Sequence, residues 1–544
     1  MVTYDADVLI VGGGLAGLCA AISSSSNLSK TMIVTKTLVG AATTTSLAAG
    51  VVSAVTPYRD PEDSVERHYQ DTMAGGCDIN DRVLVKTMVN DIPKYFTRLL
   101  ELGLEFEGGD IPAAKFIPGH SKPRSYFMKG KGVQLQALLR KVCEALGTKF
   151  LERTTVTSLV IEGERVVGAV GHRTDTKEAV TIRSKATILA TGGAGELYSR
   201  TLMPIGSSGY GTALGLKAGA EVVDMEFVQF YPTMVYEEGL PRIFVDYSPL
   251  LRYGADAKNA EGESVFKKYK VEEPFKLTRD AFSVMLAKEM IGEGGERPLY
   301  LDCTAIKDAD IKGNSSLASA VMDLESKQVP VRKRKFGISP YAHFFMGGLK
   351  TDANGATNVP GLYAAGEAVG GIHGANRIGG NAFAACIVFG FRSGMAASLY
   401  SSTVDPAGEE IFVEASSLLT EAINFNGTRD AREVKSEIQR IMWEKVGILR
   451  ERKGLEEGLM ALNSLRGAQL TSEDPVDKLL VPLMLDTADV ITLSAMLREE
   501  SRGAHYRLDY PEQREEWKKK TTLKLCEGKC ELTLSTAEAG RFLL

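Results

Sequence analysis

Two kinds of hydrophobic period alternate along the chain. Ala6 to Val11 is almost continuously apolar, the pattern of a strand buried on both faces, and Gly12-Gly13-Gly14-Leu15-Ala16-Gly17 then leads into an apolar helix over Leu18 to Ile22. A second short strand follows at Thr31 to Val34, ending in Thr35-Lys36. Two further apolar runs also end in small residues: Lys185 to Ala190, followed by Thr191-Gly192-Gly193-Ala194-Gly195, and Gly361 to Ala365, followed by Gly366-Glu367. Three strand-to-glycine turns spread over 350 residues predict one sheet assembled from distant segments, with another domain inserted between them. The insert is expected over 232–340, with its own strand at Pro298 to Asp302. After Tyr400 the period changes to apolar residues three and four apart, over Ala431 to Gly447 and Asp474 to Arg502, which predicts helices. The expected order is a discontinuous first domain (1–231 and 341–400), the insert, a helical domain (401–510) and a tail (511–544).

Composition narrows the class. With 544 residues the chain exceeds the size at which one core keeps growing, and 44% hydrophobic with 24% charged residues is ordinary for globular protein. A net charge of −5 offers no basic excess to neutralise phosphates, so nucleic-acid binding is not expected, and the run Arg332-Lys333-Arg334-Lys335 reads as a solvated turn. The longest apolar stretches, such as Ala382 to Phe389, stop short of the roughly 18 residues a membrane span needs, and no leader is read at the N-terminus. The expected location is the cytoplasm, with the inner membrane face reached only through partner subunits. Seven scattered cysteines predict reduced thiols; Cys526 and Cys530 are the one close pair, and two ligands cannot close a metal site. No metal is expected, and no four-cysteine motif for an iron–sulfur cluster exists.

Candidate chemistry concentrates in three segments: His343 to Gly348, Gly361 to Glu367, and His373-Gly374-Ala375-Asn376-Arg377-Ile378-Gly379-Gly380-Asn381. A His, a Glu and an Arg set among glycine pairs suggest backbone held close to a flat cofactor, with cationic side chains aimed at an anion beside it. The Gly12 to Gly17 turn, between a strand and a helix, suits a pyrophosphate on a helix N-terminus. The acidic ribose partner expected about 20 residues later is replaced by Thr35-Lys36, which weakens a plain NAD site.

These segments, together with Glu226 to Thr233, Thr278-Arg279-Asp280, Leu299 to Asp302 and Glu500-Ser501-Arg502-Gly503-Ala504-His505-Tyr506, resemble the flavoprotein subunit of succinate dehydrogenase and fumarate reductase, and more broadly that family together with L-aspartate oxidase. The resemblance runs in order along almost the whole chain. It implies an α/β, Rossmann-like FAD-binding domain with an inserted α+β capping domain, then a helical domain and a tail near an electron-transfer partner. The implied FAD contacts are Gly12, Gly13, Gly14, Leu15, Ala16, Gly17, Thr35, Lys36, Thr44, Ala190, Thr191, Gly192, Gly193, Glu367 and Asn381, with His373 in support. The implied chemistry is hydride exchange between flavin N5 and a carbon–carbon bond beside a carboxylate. Arg377 and His343 match the carboxylate-binding pair, and Arg279 the proton donor, with Asp280 to relay or orient.

Departures from the family pattern qualify that reading. Where covalent members carry a flavin-attaching histidine, this chain has Thr44, so FAD is expected to be noncovalent. Tyr231 stands where the family has a histidine before Pro-Thr, and the Thr-Glu pair that follows on the cap is not recognisable within Phe244 to Pro249. The second carboxylate of a dicarboxylate therefore lacks its usual partners, unless Arg252 or Lys122 reaches in. The first reading is a flavoprotein of the fumarate reductase type that acts on fumarate, succinate or a related enoate and works with an iron–sulfur subunit. The alternatives are a stand-alone oxidase or enoate reductase of the same fold, L-aspartate oxidase-like, and a flavoprotein with structural FAD that binds a partner.

Overall fold

The computed structural model describes residues 2–534 except positions 59, 110, 293, 527 and 528. Its central sheet has seven strands. Strand β1 (Val2–Val11), helix α1 (Leu15–Ser26) and strand β2 (Thr31–Val34) form its first unit, with Val8 to Val11 at most 1% exposed. Parallel neighbours flank β1: β2 and then Lys149–Leu151 on one side, Glu178–Leu189 on the other. The strand Glu178–Leu189 pairs antiparallel with Arg165–Arg173 along its first half, and parallel with Leu362–Ala364 along its last three residues. Val11, Val34, Leu189 and Ala364 consequently end level on one edge of the sheet. All three glycine turns open on that edge, the place where open α/β sheets hold their ligands.

A helix over Asn381–Ser401 packs α1 against the sheet. A Cβ on Gly390 would lie 2.6 Å from the Ala16 carbonyl oxygen, and one on Gly394 would lie 2.2 Å from that of Ala20, so the approach requires glycine at both places. This helix and Pro475–Leu497 are each long and apolar enough to cross a membrane, with mean hydropathy 1.5 and 1.6, but 67% and 78% of those stretches are buried inside the protein. The short run Ala382 to Phe389 understated the first of them because small polar residues, Ser393 and Ser398, are buried within the same helix.

The insert has a four-stranded antiparallel sheet in the order Val228–Val235, Phe336–Phe345, Leu299–Asp302, Asp256–Lys258. Its outgoing and returning strands pair with each other, and the core divides along them. Phe230 and Ala342 belong to the main core, whereas Tyr231 and Ile338 pack with Phe282, Leu286 and Leu301 in a second one. The helices Ala431–Lys445, Arg452–Arg466 and Pro475–Leu497 share the main core, and Glu410–Asn424 lies on the antiparallel part of the sheet through Phe412 and Leu419. The sequence pattern marked two of these four helices.

In the tail, Thr521–Cys526 pairs with Val222–Val223 and with Lys529–Leu534. The side chains of Cys526 and Cys530 lie outside the described residues. Cys19, Cys77, Cys143, Cys303 and Cys386 are free thiols. In the basic run, Arg332 pairs with Asp308 and Glu325, and Arg334 with Glu237.

Candidate active site

The turn after β1 is shaped by what glycine lacks. Gly12 has φ +120°, and a Cβ there would sit 2.2 Å from the Ala190 carbonyl oxygen; one on Gly17 would sit 2.0 Å from that of Gly12. At Gly14 the only atom a Cβ would approach is Thr45 Oγ1, at 3.9 Å, so this face of the turn is open. Gly14 caps α1 without a side-chain hydrogen bond and no acid occupies the first turn, which leaves amide donors and the positive helix end for an anion. Leu15 N–H is taken by Thr45 Oγ1 at 3.2 Å.

The other strand ends face the same space. Thr191 has a buried hydroxyl without a partner, and Gly192, at φ +79°, would find nothing within 4 Å of an added Cβ. Lys36 turns its ammonium to the Gly206 carbonyl and over the Tyr210 ring at 4.0 Å; burial lowers its pKa to about 8. Thr35 is buried behind Gly13, and the Thr44 hydroxyl lies 3.9 Å from Met203 Sδ. Glu367 accepts Phe345 N–H at 3.0 Å, and burial raises its pKa to about 7. The Asn381 side chain is committed elsewhere, to Thr72 Oγ1 and His68 Nε2, both at 2.9 Å; its backbone opens a second helix, whose cap Gly380 has φ +77°. His373 packs edge-on to Phe344, with Nδ1 unpartnered. A glycine cradle, two helix starts without side-chain caps and an unpartnered Thr191 hydroxyl fit an FAD, with its pyrophosphate on α1.

Beside Glu367 the predicted chemical residues converge on a side chain that the sequence pattern does not single out. Gln229 Oε1 accepts from Arg279 Nη1 at 3.2 Å and from Arg377 Nη2 at 3.0 Å, and Arg377 Nη2 also lies 3.3 Å from His343 Nε2. Burial and the two guanidiniums hold the His343 pKa well below its ordinary value, so the imidazole is neutral; burial and Arg279 depress that of Arg377. Arg279 starts the helix Arg279–Met290, its guanidinium 5.5 Å from the Tyr231 ring centre. Asp280 does not contact Arg279 through a hydrogen bond. It accepts from Asn376 Nδ2 at 2.8 Å, while Gln229 Nε2 donates to Asn376 Oδ1 at 2.6 Å and to the Arg377 carbonyl at 3.0 Å. Asp280 and Asn376 thus fix Gln229, which spaces the arginines.

On the cap side, Tyr231 is 2% exposed and lies tilted against Phe244, at 4.2 Å between ring centres, and edge-on to His343 at 5.5 Å. Asp246 stands close enough for Arg279 to oppose the rise that burial imposes on its carboxyl pKa. It falls within the stretch Phe244 to Pro249 where the Thr-Glu pair was not recognisable, and folding brings it near Arg279. Neither Arg252 nor Lys122 is free to serve this end: Arg252 lies over Phe275 at 4.3 Å, and Lys122 pairs with Glu62 and Asp60.

A family model described as FAD binding domain matches residues 7–383, and one described as Fumarate reductase flavoprotein C-term matches 435–540. The chain is 34% identical over 535 residues to a fumarate reductase (CoM/CoB) subunit of Methanothermobacter marburgensis, covering 96% of this chain and 97% of that protein. It is 31% identical to L-aspartate oxidase of Streptomyces coelicolor, covering 96% and 91%. Its fold superposes on a mutated form of E. coli quinol fumarate reductase FrdA with TM-score 0.85 at 27% identity, covering 98% of this chain and 97% of that one.

Proposed function

Because the chain belongs to the fumarate reductase and succinate dehydrogenase flavoprotein family and is an FAD-dependent oxidoreductase, we propose that it exchanges a hydride and a proton with the carbon–carbon bond next to a carboxylate. The observation that carries this reading is the convergence of Arg279 and Arg377 on one oxygen, that of Gln229, with neutral His343 within 3.3 Å of the same Arg377 nitrogen. A carboxylate there replaces the amide oxygen as the shared acceptor, bound by charge-assisted hydrogen bonds from Arg377 and a neutral one from His343. The same cations stabilise the enolate-like charge that develops when the neighbouring carbon gains a hydride. When bound, FAD in its reduced form supplies that hydride. Arg279 gives its proton to the carbon beside the carboxylate, and Asp246, the acid in its field, returns one. One hydride and one proton convert the enoate to the saturated acid.

Electrons would come from, or pass to, an iron–sulfur partner subunit. The Methanothermobacter relative is named as one subunit of its enzyme. Beside Thr44, Leu47 is 64% and Ile205 88% exposed, an apolar rim suited to a partner at the flavin's edge. A second reading, an oxidase of the L-aspartate type, is favoured by the 31% identity to the Streptomyces enzyme.

Anaerobic titration of the FAD-loaded protein tests both. After reduction with dithionite, fumarate or a related enoate should restore the oxidised flavin spectrum. Under the second reading L-aspartate bleaches the oxidised flavin and oxygen restores it. A flavin that responds to no enoate, saturated acid or amino acid would overturn the proposal.

A further inference from the structure

Resting on the reading of this site as one for an unsaturated acid, we infer that its substrate carries a single carboxylate and ends in an uncharged apolar or aromatic group. The donors stand at one end only. Arg377 and Arg279 donate to Gln229 Oε1 and His343 lies against Arg377, a set sufficient for one carboxylate. One ring further out, the hydroxyls of Tyr231 and Thr233 both donate to the Val245 carbonyl, at 2.9 and 3.0 Å, so neither is left for a ligand. Both residues are buried, at 2% and 0% exposure, and turning either hydroxyl to a ligand would give up a bond to a buried carbonyl.

What this end offers instead is aromatic surface. Tyr231 lies among Phe244, Tyr247 and His343, with ring centres 4.2, 5.6 and 5.5 Å away. Phe244 remains 42% exposed, so part of its ring is available to a ligand. A second carboxylate would approach the buried carboxyl of Asp246, and the cation beside it, Arg279, is already bound to Gln229 Oε1. Arg200 is bound to Ser339, Tyr236 and Glu296, and Arg252 covers Phe275. A planar alkyl or aryl group meets none of these costs and gains contact with Phe244.

The test uses the FAD-loaded full chain. Succinate, monomethyl succinate and 3-phenylpropionate are titrated as ligands by calorimetry, and fumarate, monomethyl fumarate and cinnamate as oxidants of the reduced flavin. In the wild type the monoester or the phenyl acid should bind at least tenfold tighter than succinate, and the matching enoate should reoxidise the flavin at least tenfold faster than fumarate. Tyr231→His, which adds a donor at the far end, should shift the ratio at least tenfold toward the diacid. Phe244→Ala, which leaves the Val245 carbonyl paired, should weaken 3-phenylpropionate at least tenfold more than succinate. Tightest binding of succinate by the wild type, or ratios unmoved in both variants, would overturn the inference while leaving the acid chemistry standing. Failure of all six compounds to bind or react would sink the reading on which it rests.

Discussion

Arg279 and Arg377 reach the same amide oxygen from different domains, and this separates their roles. Arg377 is held within the glycine-rich loop, so its removal should abolish carboxylate binding, whereas Arg279 arrives with the cap and reaches the site through one nitrogen. Arg279→Ala and Arg279→Lys should leave ligand affinity within a few-fold and lower turnover by about 10²- to 10⁴-fold, the usual range for a lost proton donor. Near-normal stopped-flow rates in either variant would return Arg279 to a structural role. A second expectation concerns Thr44, whose hydroxyl packs on Met203 and has no imidazole to attach a flavin. Acid precipitation should release all the FAD, and flavin fluorescence staying with the denatured polypeptide would contradict it. Arg279, His343 and Arg377 could be picked from the sequence because glycine pairs and a polar triplet mark them locally. Gln229 and Asp246 carry no such mark, and the spacing that set Asp280 beside Arg279 could not show its bond to Asn376; these places depend on the register between the cap strands and the loop after His373.

At the level of elements, the strand–turn–helix at the N-terminus was legible because Gly12 and Gly17 have a steric reason and Gly14 leaves the face of the turn open. Gly17→Ala would force a Cβ to within 2.0 Å of a backbone oxygen that has nowhere to move, since Gly12 is itself pressed against Ala190. Overpacking of this kind costs about 1–3 kcal/mol. We expect Gly17→Ala to lower the thermal midpoint and to purify with little FAD; full flavin occupancy would show that the turn adapts. Less legible was a contact joining all three parts of the molecule. Glu296, on the cap hairpin formed by Ile291–Gly292 and Gly295–Glu296, accepts from Arg200 of the FAD-binding part and from Trp443 Nε1 of the helical part at 2.7 Å. Arg200 also lies over the Tyr236 and Trp443 rings, at 4.2 and 4.8 Å. Sequence spacing cannot reveal a link among residues 200, 296 and 443. Glu296→Ala should free the hairpin, raising its amide exchange several-fold while FAD content stays constant. Unchanged exchange would mean the hairpin is held by its own packing.

For the molecule as a whole, burying so much ionisable chemistry makes stability depend on pH in a direction that can be worked out. The chain has six histidines, and all six have pKa values lowered chiefly by burial: His68 and His373 to about 3, His120 to about 4, and His172, His343 and His505 downward. Unfolding returns each to about 6.5, so below that pH the unfolded chain binds protons the native state does not, and acidification removes stability. Several buried acids act oppositely. Asp224, both of whose oxygens lack partners, and Glu367 are raised to about 7, and Asp246, Asp280 and Asp489 are raised as well. These hold protons in the native state that the unfolded chain releases above about pH 4, which favours the fold on acidification. The six lowered histidines outnumber the five raised acids, so near pH 5.5 unfolding should on balance take up protons. The thermal midpoint should therefore fall from pH 7 to pH 5.5, and the calorimetric enthalpies in buffers of different ionisation heat should report net uptake. A midpoint that rises over this interval, or net proton release, would mean that the buried acids dominate and that the histidines are charged inside the fold.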